Sequence, residues 1–108
     1  MGKPSHRIAA GGLKAMSRRA EEAAALLRAL AHGARLKVLC ELVGGEKNAG
    51  ELVAASGLGQ SALSQHLARL RQEGLVATRR EAQVIYYRLA DAKVERLVKL
   101  LYEIYCRR

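Results

Sequence analysis

The hydrophobic positions of the chain follow helical spacing over most of its first two-thirds. Apolar residues recur at three- and four-residue steps in four successive segments: 17–31, 34–43, 49–55 and 60–72. This spacing puts the apolar side chains on one face of a helix. Breaks that contain glycine separate the segments, so the pattern predicts four helices joined by short turns.

Short polar residues mark where three of the predicted helices begin. Ser17 is a candidate N-cap of the first helix, and Asp91 of a helix that runs to about Cys106. Asn48, followed three residues later by Glu51, resembles a capping box. The caps therefore predict helix starts at residues 17, 48 and 91.

The pattern changes after Gly74. Residues 75–80 and 84–89 are rich in β-forming side chains, and the second run alternates in polarity. The three residues between them, 81–83, predict a hairpin turn, although Ala82 stands where a glycine would suit the turn better. The sequence thus predicts five helices and two strands, a mainly α fold with a β-hairpin.

The last helix is more apolar than a small monomer needs. Its stripe consists of Val94, Leu97, Val98, Leu101, Ile104 and Tyr105, and further apolar residues lie outside that stripe. Apolar surface in excess of the core indicates a partner helix, most simply in a homodimer.

Two short helices, a glycine turn and a hairpin form the layout of a winged helix-turn-helix. Leucines dock one face of the fourth helix on the core, and the opposite face carries Gln60, Ser61, Ser64 and Gln65. Glutamine pairs well with adenine, and serine suits either type of base in the major groove. Arg69 is a candidate phosphate contact, and the hairpin adds three arginines that could contact the DNA backbone or the minor groove: Arg79, Arg80 and Arg88.

The charge favours the same class of partner. The 108 residues form one domain and carry 19 basic against 10 acidic side chains, a net charge of +9. Such a balance favours a polyanion. Residues 1–16 are predicted to form a basic flexible arm, or a frayed helix, before the DNA-binding and dimerisation domain at 17–108. Without a long apolar run or a signal sequence, we expect a cytoplasmic protein that does not contact membranes.

Three segments resemble the ArsR family of repressors. They are residues 30–39 (LAHGARLKVL), residues 61–70 (SALSQHLARL) with 73–76 (EGLV), and residues 85–89 (IYYRL). The resemblance covers about residues 20–105. It implies a homodimeric winged-helix repressor whose first and last helices form the dimer interface and which an inducer releases from operator DNA.

Many members of the family sense metals, but their ligand patterns do not recur here. One type of metal site in the family has a Cys-x-Cys pair on the helix before the recognition helix, which is the fourth helix here, but residues 48–52 read NAGEL. Another type has an Asp-x-His pair at the start of the last helix, where Asp91 is followed two residues later by Lys93. We therefore expect neither a metal site nor a cofactor.

Two cysteines, Cys40 and Cys106, carry the remaining chemistry. One thiol on each of two helices, without a metal motif, is similar to the persulfide-responsive branch of the family, the SqrR and BigR type. That resemblance implies that Cys40 and Cys106 are sensing thiols, between which reactive sulfur species leave a polysulfide bridge within one subunit. Cys40 could equally be a small buried hydrophobic residue.

Other functions remain open at this point. Within the family, the chain could be a metal sensor, or a thiol sensor of peroxide. Outside it, a thiol enzyme is disfavoured because no Cys-x-x-Cys motif and no suitably spaced histidine occur. The charge would also suit a protein that packages DNA without regard to sequence.

Overall fold

The computed structural model describes residues 10–106 and confirms a winged helix-turn-helix. Within these residues, five helices and three strands follow one another. They are α1 (Ala10–Leu30), α2 (Gly33–Glu41), β1 (Lys47–Asn48), α3 (Ala49–Ser56), α4 (Gln60–Gln72), β2 (Val76–Glu81), β3 (Val84–Leu89) and α5 (Ala92–Tyr105). A 3₁₀ turn at Leu42–Gly44 continues the end of α2.

The first helix begins earlier than predicted. It starts at Ala10, so the N-cap predicted at Ser17 is wrong, and residues 10–16 of the predicted arm are helical. Two glycines in this stretch each disfavour a helix by only ~1 kcal/mol relative to alanine. Leu13 and Met16 continue the helical spacing, and both are exposed. Residues 1–9 of the predicted arm lie outside the described residues.

The other two predicted caps are confirmed. The Asn48 side chain accepts a hydrogen bond from the Glu51 N–H at 2.9 Å, and the Glu51 carboxylate accepts one from the Asn48 N–H at 2.8 Å. The Asp91 carboxylate accepts from the Val94 N–H at 2.9 Å. Each cap satisfies a backbone N–H that has no partner inside the helix.

The hairpin lies in an antiparallel sheet with the strand order β1-β3-β2. Strand β1 is not among the two predicted strands, because two residues are too few to show an alternating pattern. It pairs Lys47 with Tyr87 and Asn48 with Tyr86. The register pairs Glu81 with Val84, so the turn has two residues and not three. Ala82 occupies the first of them at φ 56°, a left-handed conformation that costs an alanine more than a glycine.

The core is built from one face of each helix and the inner face of the sheet. Its members are Ala29, Leu30, Val38, Leu39, Leu42, Leu52, Leu63, Leu67, Leu70, Leu75, Val76, Val94 and Val98. The three leucines of α4 are among them, as its stripe predicts. Within residues 10–106, no helix combines the length and the apolar character needed to cross a bilayer.

Candidate nucleic-acid interface and thiol pair

The outer face of α4 is polar and open. Packing of Leu63, Leu67 and Leu70 against the core fixes the rotation of the helix. The α3–α4 turn is held by Gly57, at φ 75°, and by the Ser56 hydroxyl, which accepts a hydrogen bond from the Leu58 N–H at 3.2 Å. The opposite face therefore presents the four predicted base-reading side chains, Gln60, Ser61, Ser64 and Gln65, all exposed.

None of these four side chains makes a hydrogen bond to another of the residues 10–106. Their donors and acceptors are thus free for an external partner. Arg69, one turn further along, is exposed but forms an ion pair with Glu73, with Nε 3.2 Å from Oε2. The charge of Arg69 is therefore only partly available to a phosphate.

The two predicted wing arginines have different surroundings. Arg79 donates to the Glu46 carboxylate at 2.8 Å and to Glu81 at 2.9 Å, and its guanidinium lies 4.6 Å from the centre of the Tyr86 ring. Arg80 is exposed and, in the described part of the chain, makes no hydrogen bond or ion pair. Both arginines are candidate DNA contacts by sequence, but their side chains lie on opposite faces of the strand.

A cluster that the sequence analysis missed joins the start of α2 to α4. The rings of His32 and His66 lie 5.1 Å apart, tilted by 59°. The nearby Arg35 side chain, only 14% exposed, donates to the Ala29 carbonyl at 3.2 Å and lies 3.4 Å from the Glu73 carboxylate. Burial, together with the charges of His32 and Arg35, lowers the pKa of His66 below 6.5. Both histidines fall within the family-like motifs, but spacing alone could not pair them.

The two thiols occupy the ends of neighbouring helices. Cys40 lies in the last turn of α2 and is half-buried, whereas Cys106 directly follows α5 and is exposed. Helix α5 packs against α2, and both thiols are free. Burial, and then the charges of Cys106 and Glu41, raise the pKa of Cys40. The two thiols are therefore carried by two helices that pack against each other.

No group of three or more histidine, cysteine, aspartate or glutamate side chains within residues 10–106 is arranged to hold a metal ion. The His32–His66 pair therefore has no third ligand among the described residues.

The family comparison agrees with this geometry. The family described as bacterial regulatory protein, arsR family, matches residues 32–78. A biofilm growth-associated repressor from Agrobacterium fabrum is 52% identical over 94 residues, which cover 87% of this chain and 80% of that protein. The transcriptional activator HlyU of Vibrio cholerae is 46% identical, with 87% of each chain covered. The relatives named here are transcriptional regulators, which confirms the expectation of a regulator rather than an enzyme.

Solved structures agree in fold. The transcriptional repressor BigR from Xylella fastidiosa superposes with a TM-score of 0.81 at 47% identity, covering 88% of this chain and 97% of that one. A winged helix-turn-helix DNA-binding domain from Mycobacterium bovis, described as homodimeric, has a TM-score of 0.71 at 34% identity, with 82% of each chain covered.

The His32–His66 contact predicts a measurable titration. We expect His66 to titrate below pH 6.5 in an NMR titration and the His32→Gln variant to move its pKa upward, because one of the groups that disfavour the imidazolium is gone. Since the folded chain favours the neutral ring, the associated stability is present above pH 6.5 and declines as the pH falls through the folded pKa. An unshifted His66 in both proteins would contradict the contact.

Proposed function

The chain belongs to the ArsR family of bacterial regulatory proteins, and we propose that it is a homodimeric repressor whose thiol pair releases operator DNA in response to persulfides. It acts in the cytoplasm, where its operator lies. The observation that carries DNA recognition is the exposed polar face of α4, whose side chains have no partner within residues 10–106.

Recognition of the operator follows from the chemistry of that face. Gln60 and Gln65 can each form two hydrogen bonds with an adenine, and Ser61 and Ser64 can donate to or accept from a base edge. Arg69 and Arg80 flank them with positive charge for the phosphates. Two copies of α4 in a dimer would read half-sites ~34 Å apart, one turn of DNA.

Exposed apolar side chains on two helices support the dimer. They are Leu13, Met16 and Leu27 of α1, and Leu100, Tyr102, Ile104 and Tyr105 of α5. Tyr105 is 79% exposed and Ile104 59%, although both belong to the apolar stripe of α5. A second copy of the same two helices would remove this surface from water, and the M. bovis relative is described as homodimeric.

The direction of regulation follows the repressors among the relatives. The Agrobacterium protein and the X. fastidiosa protein are both named repressors, and the Agrobacterium protein is 52% identical to this chain. The V. cholerae activator is 46% identical. We therefore assign repression.

The thiol reaction is an exchange that needs no oxidant beyond the persulfide. The exposed Cys106 thiolate attacks the outer sulfur of an organic persulfide, forms a protein persulfide and releases the organic thiol. A second transfer extends the chain by one sulfur. The Cys40 thiolate then attacks the sulfur next to the terminal one, which closes a bridge of three sulfurs and expels H₂S.

The burial of the two thiols supports this order of events. Cys106 is exposed and meets the persulfide first, whereas Cys40 is half-buried and burial raises its pKa, which disfavours Cys40 as the first nucleophile. Added sulfurs lengthen the link, so the Cα atoms need not come within the ~7 Å of a direct disulfide. Peroxide adds no sulfur, so a bridge formed by peroxide would remain subject to that limit on the Cα atoms, whereas a bridge formed by persulfide would not.

The proposed dimer predicts a defined mass in solution. We expect sedimentation equilibrium to give twice the 11.8 kDa mass of the chain. Ile104→Glu should shift the protein to the monomer, because it buries a charge in the proposed interface. Val84→Glu changes an apolar residue of the wing that is also exposed and should leave the dimer intact. Equal effects of the two substitutions would argue against an α5 interface.

The thiol switch predicts a loss of operator affinity on exposure to persulfide. A coupling of typical size corresponds to a fall of about 5–150-fold. Fluorescence anisotropy with operator DNA should show this fall for the native chain and not for Cys40→Ser or Cys106→Ser. Equal affinity before and after treatment in all three proteins would end the proposal.

Two further treatments in the same assay separate the alternatives. Release by Zn²⁺ and not by persulfide would identify a metal sensor. Release by hydrogen peroxide as complete as that by persulfide would identify a general thiol oxidation sensor. In either case DNA binding by α4 would stand and only the signal would change.

A further inference from the structure

Arg79 is surrounded on the wing by partners from its own chain. Its Nε lies 2.8 and 2.9 Å from the two carboxylate oxygens of Glu46, and a terminal nitrogen lies 2.9 Å from Glu81. The guanidinium also stacks over the Tyr86 ring, 4.6 Å from its centre. An isolated exposed ion pair contributes little, but a guanidinium shared by two carboxylates and a ring has its orientation fixed.

The position of Glu46 shows which parts of the fold the contacts of Arg79 connect. Glu46 stands between Gly45, at φ 129°, and β1, so it lies at the junction where the chain leaves α2 and enters the sheet. Tyr86 is opposite Arg79 in the β2–β3 register and opposite Asn48 in the β1–β3 register. The contacts of Arg79 therefore tie the wing hairpin to the segment that follows α2.

The charge balance around Arg79 argues against a phosphate contact. Two carboxylates surround the one guanidinium of Arg79, so Arg79 itself offers no net positive charge to DNA. The adjacent Arg80 points to the other strand face and has no ion pair within residues 10–106. Of these two neighbouring arginines, Arg80 is therefore the better candidate for a phosphate contact.

We propose that Arg79 is a positioning residue: paired with Glu46 also in the operator complex, it holds the wing so that Arg80 reaches the DNA backbone. This role replaces the DNA contact that the sequence suggested for Arg79. It rests on the contact between wing and DNA proposed above.

The Glu46→Gln substitution distinguishes a positioning role of Arg79 from a phosphate contact, because the two roles predict opposite changes in operator affinity. If Arg79 positions the wing, Glu46→Gln lowers operator affinity by up to about fivefold, the fold-change that corresponds to the upper end of what an exposed ion pair contributes. The same substitution in an Arg79→Ala background then causes no further loss. If Arg79 bound a phosphate, Glu46→Gln would release it, raise the affinity and steepen the salt dependence.

Exchanging the two charges provides the rescue. The double variant Glu46→Arg with Arg79→Glu keeps an ion pair across the same gap and should recover part of the operator affinity that each single variant loses, although the contacts of Arg79 with Glu81 and the Tyr86 ring are not restored. A phosphate contact could not be restored this way, because the exchange puts a carboxylate at the wing position. The melting temperatures of all variants serve as the check on folding.

Arg80→Ala distinguishes failure of this inference from failure of the wing contact. It should weaken binding and reduce the slope of log affinity against log salt by ~0.9 for each phosphate that a protomer no longer neutralises. If Arg80→Ala has this effect but the charge exchange fails to rescue, the role of Arg79 is overturned and the wing contact stands. If Arg80→Ala leaves affinity and slope unchanged, the wing contact is overturned, and the role of Arg79 with it.

Discussion

The packing of α2 in the centre of the fold is the constraint on which the other parts depend. Val38 and Leu39 have no exposed surface, and α2 packs against α1, α3, α4 and α5. A helix held on so many sides cannot shift without disturbing its neighbours, because protein interiors are close-packed. A displacement of one end of α2 therefore also disturbs the elements that contact its other end.

The two ends of α2 contact different parts of the molecule. At its start, His32 lies against His66 of α4, and Arg35 approaches Glu73 at the end of the same helix. Its last turn carries Cys40, and α5, which Cys106 follows, packs against α2; just beyond, Glu46 pairs with Arg79 of the wing. A link between the thiols would thus act on a helix that touches α4 directly and that leads into the sheet through the segment after it. This arrangement supports the proposed coupling of the thiol reaction to DNA affinity.

The features that could be predicted from the sequence are those that local rules govern. The leucine spacing predicts the face of α4 that packs on the core, and Asn48 with Glu51 predicts the start of α3. Both signals are local, because a cap or an apolar helix face is encoded within one or two helical turns. The start of α1 does not follow from local rules in the same way, because the two glycines disfavour a helix while the spacing of Leu13 and Met16 continues one. The different contacts of Arg79 and Arg80 and the His32–His66 contact depend on partners distant in the chain, such as Glu46, which no spacing reveals.

Mass spectrometry of the persulfide-treated dimer tests the central claim most directly. We predict a peptide pair in which Cys40 and Cys106 are joined through at least one added sulfur, while the denatured, non-reduced chain keeps its mass of about 11.8 kDa. That result would place the bridge inside one subunit, between α2 and the end of α5. Thiols that stay separate, or links that join only two different chains, would contradict it.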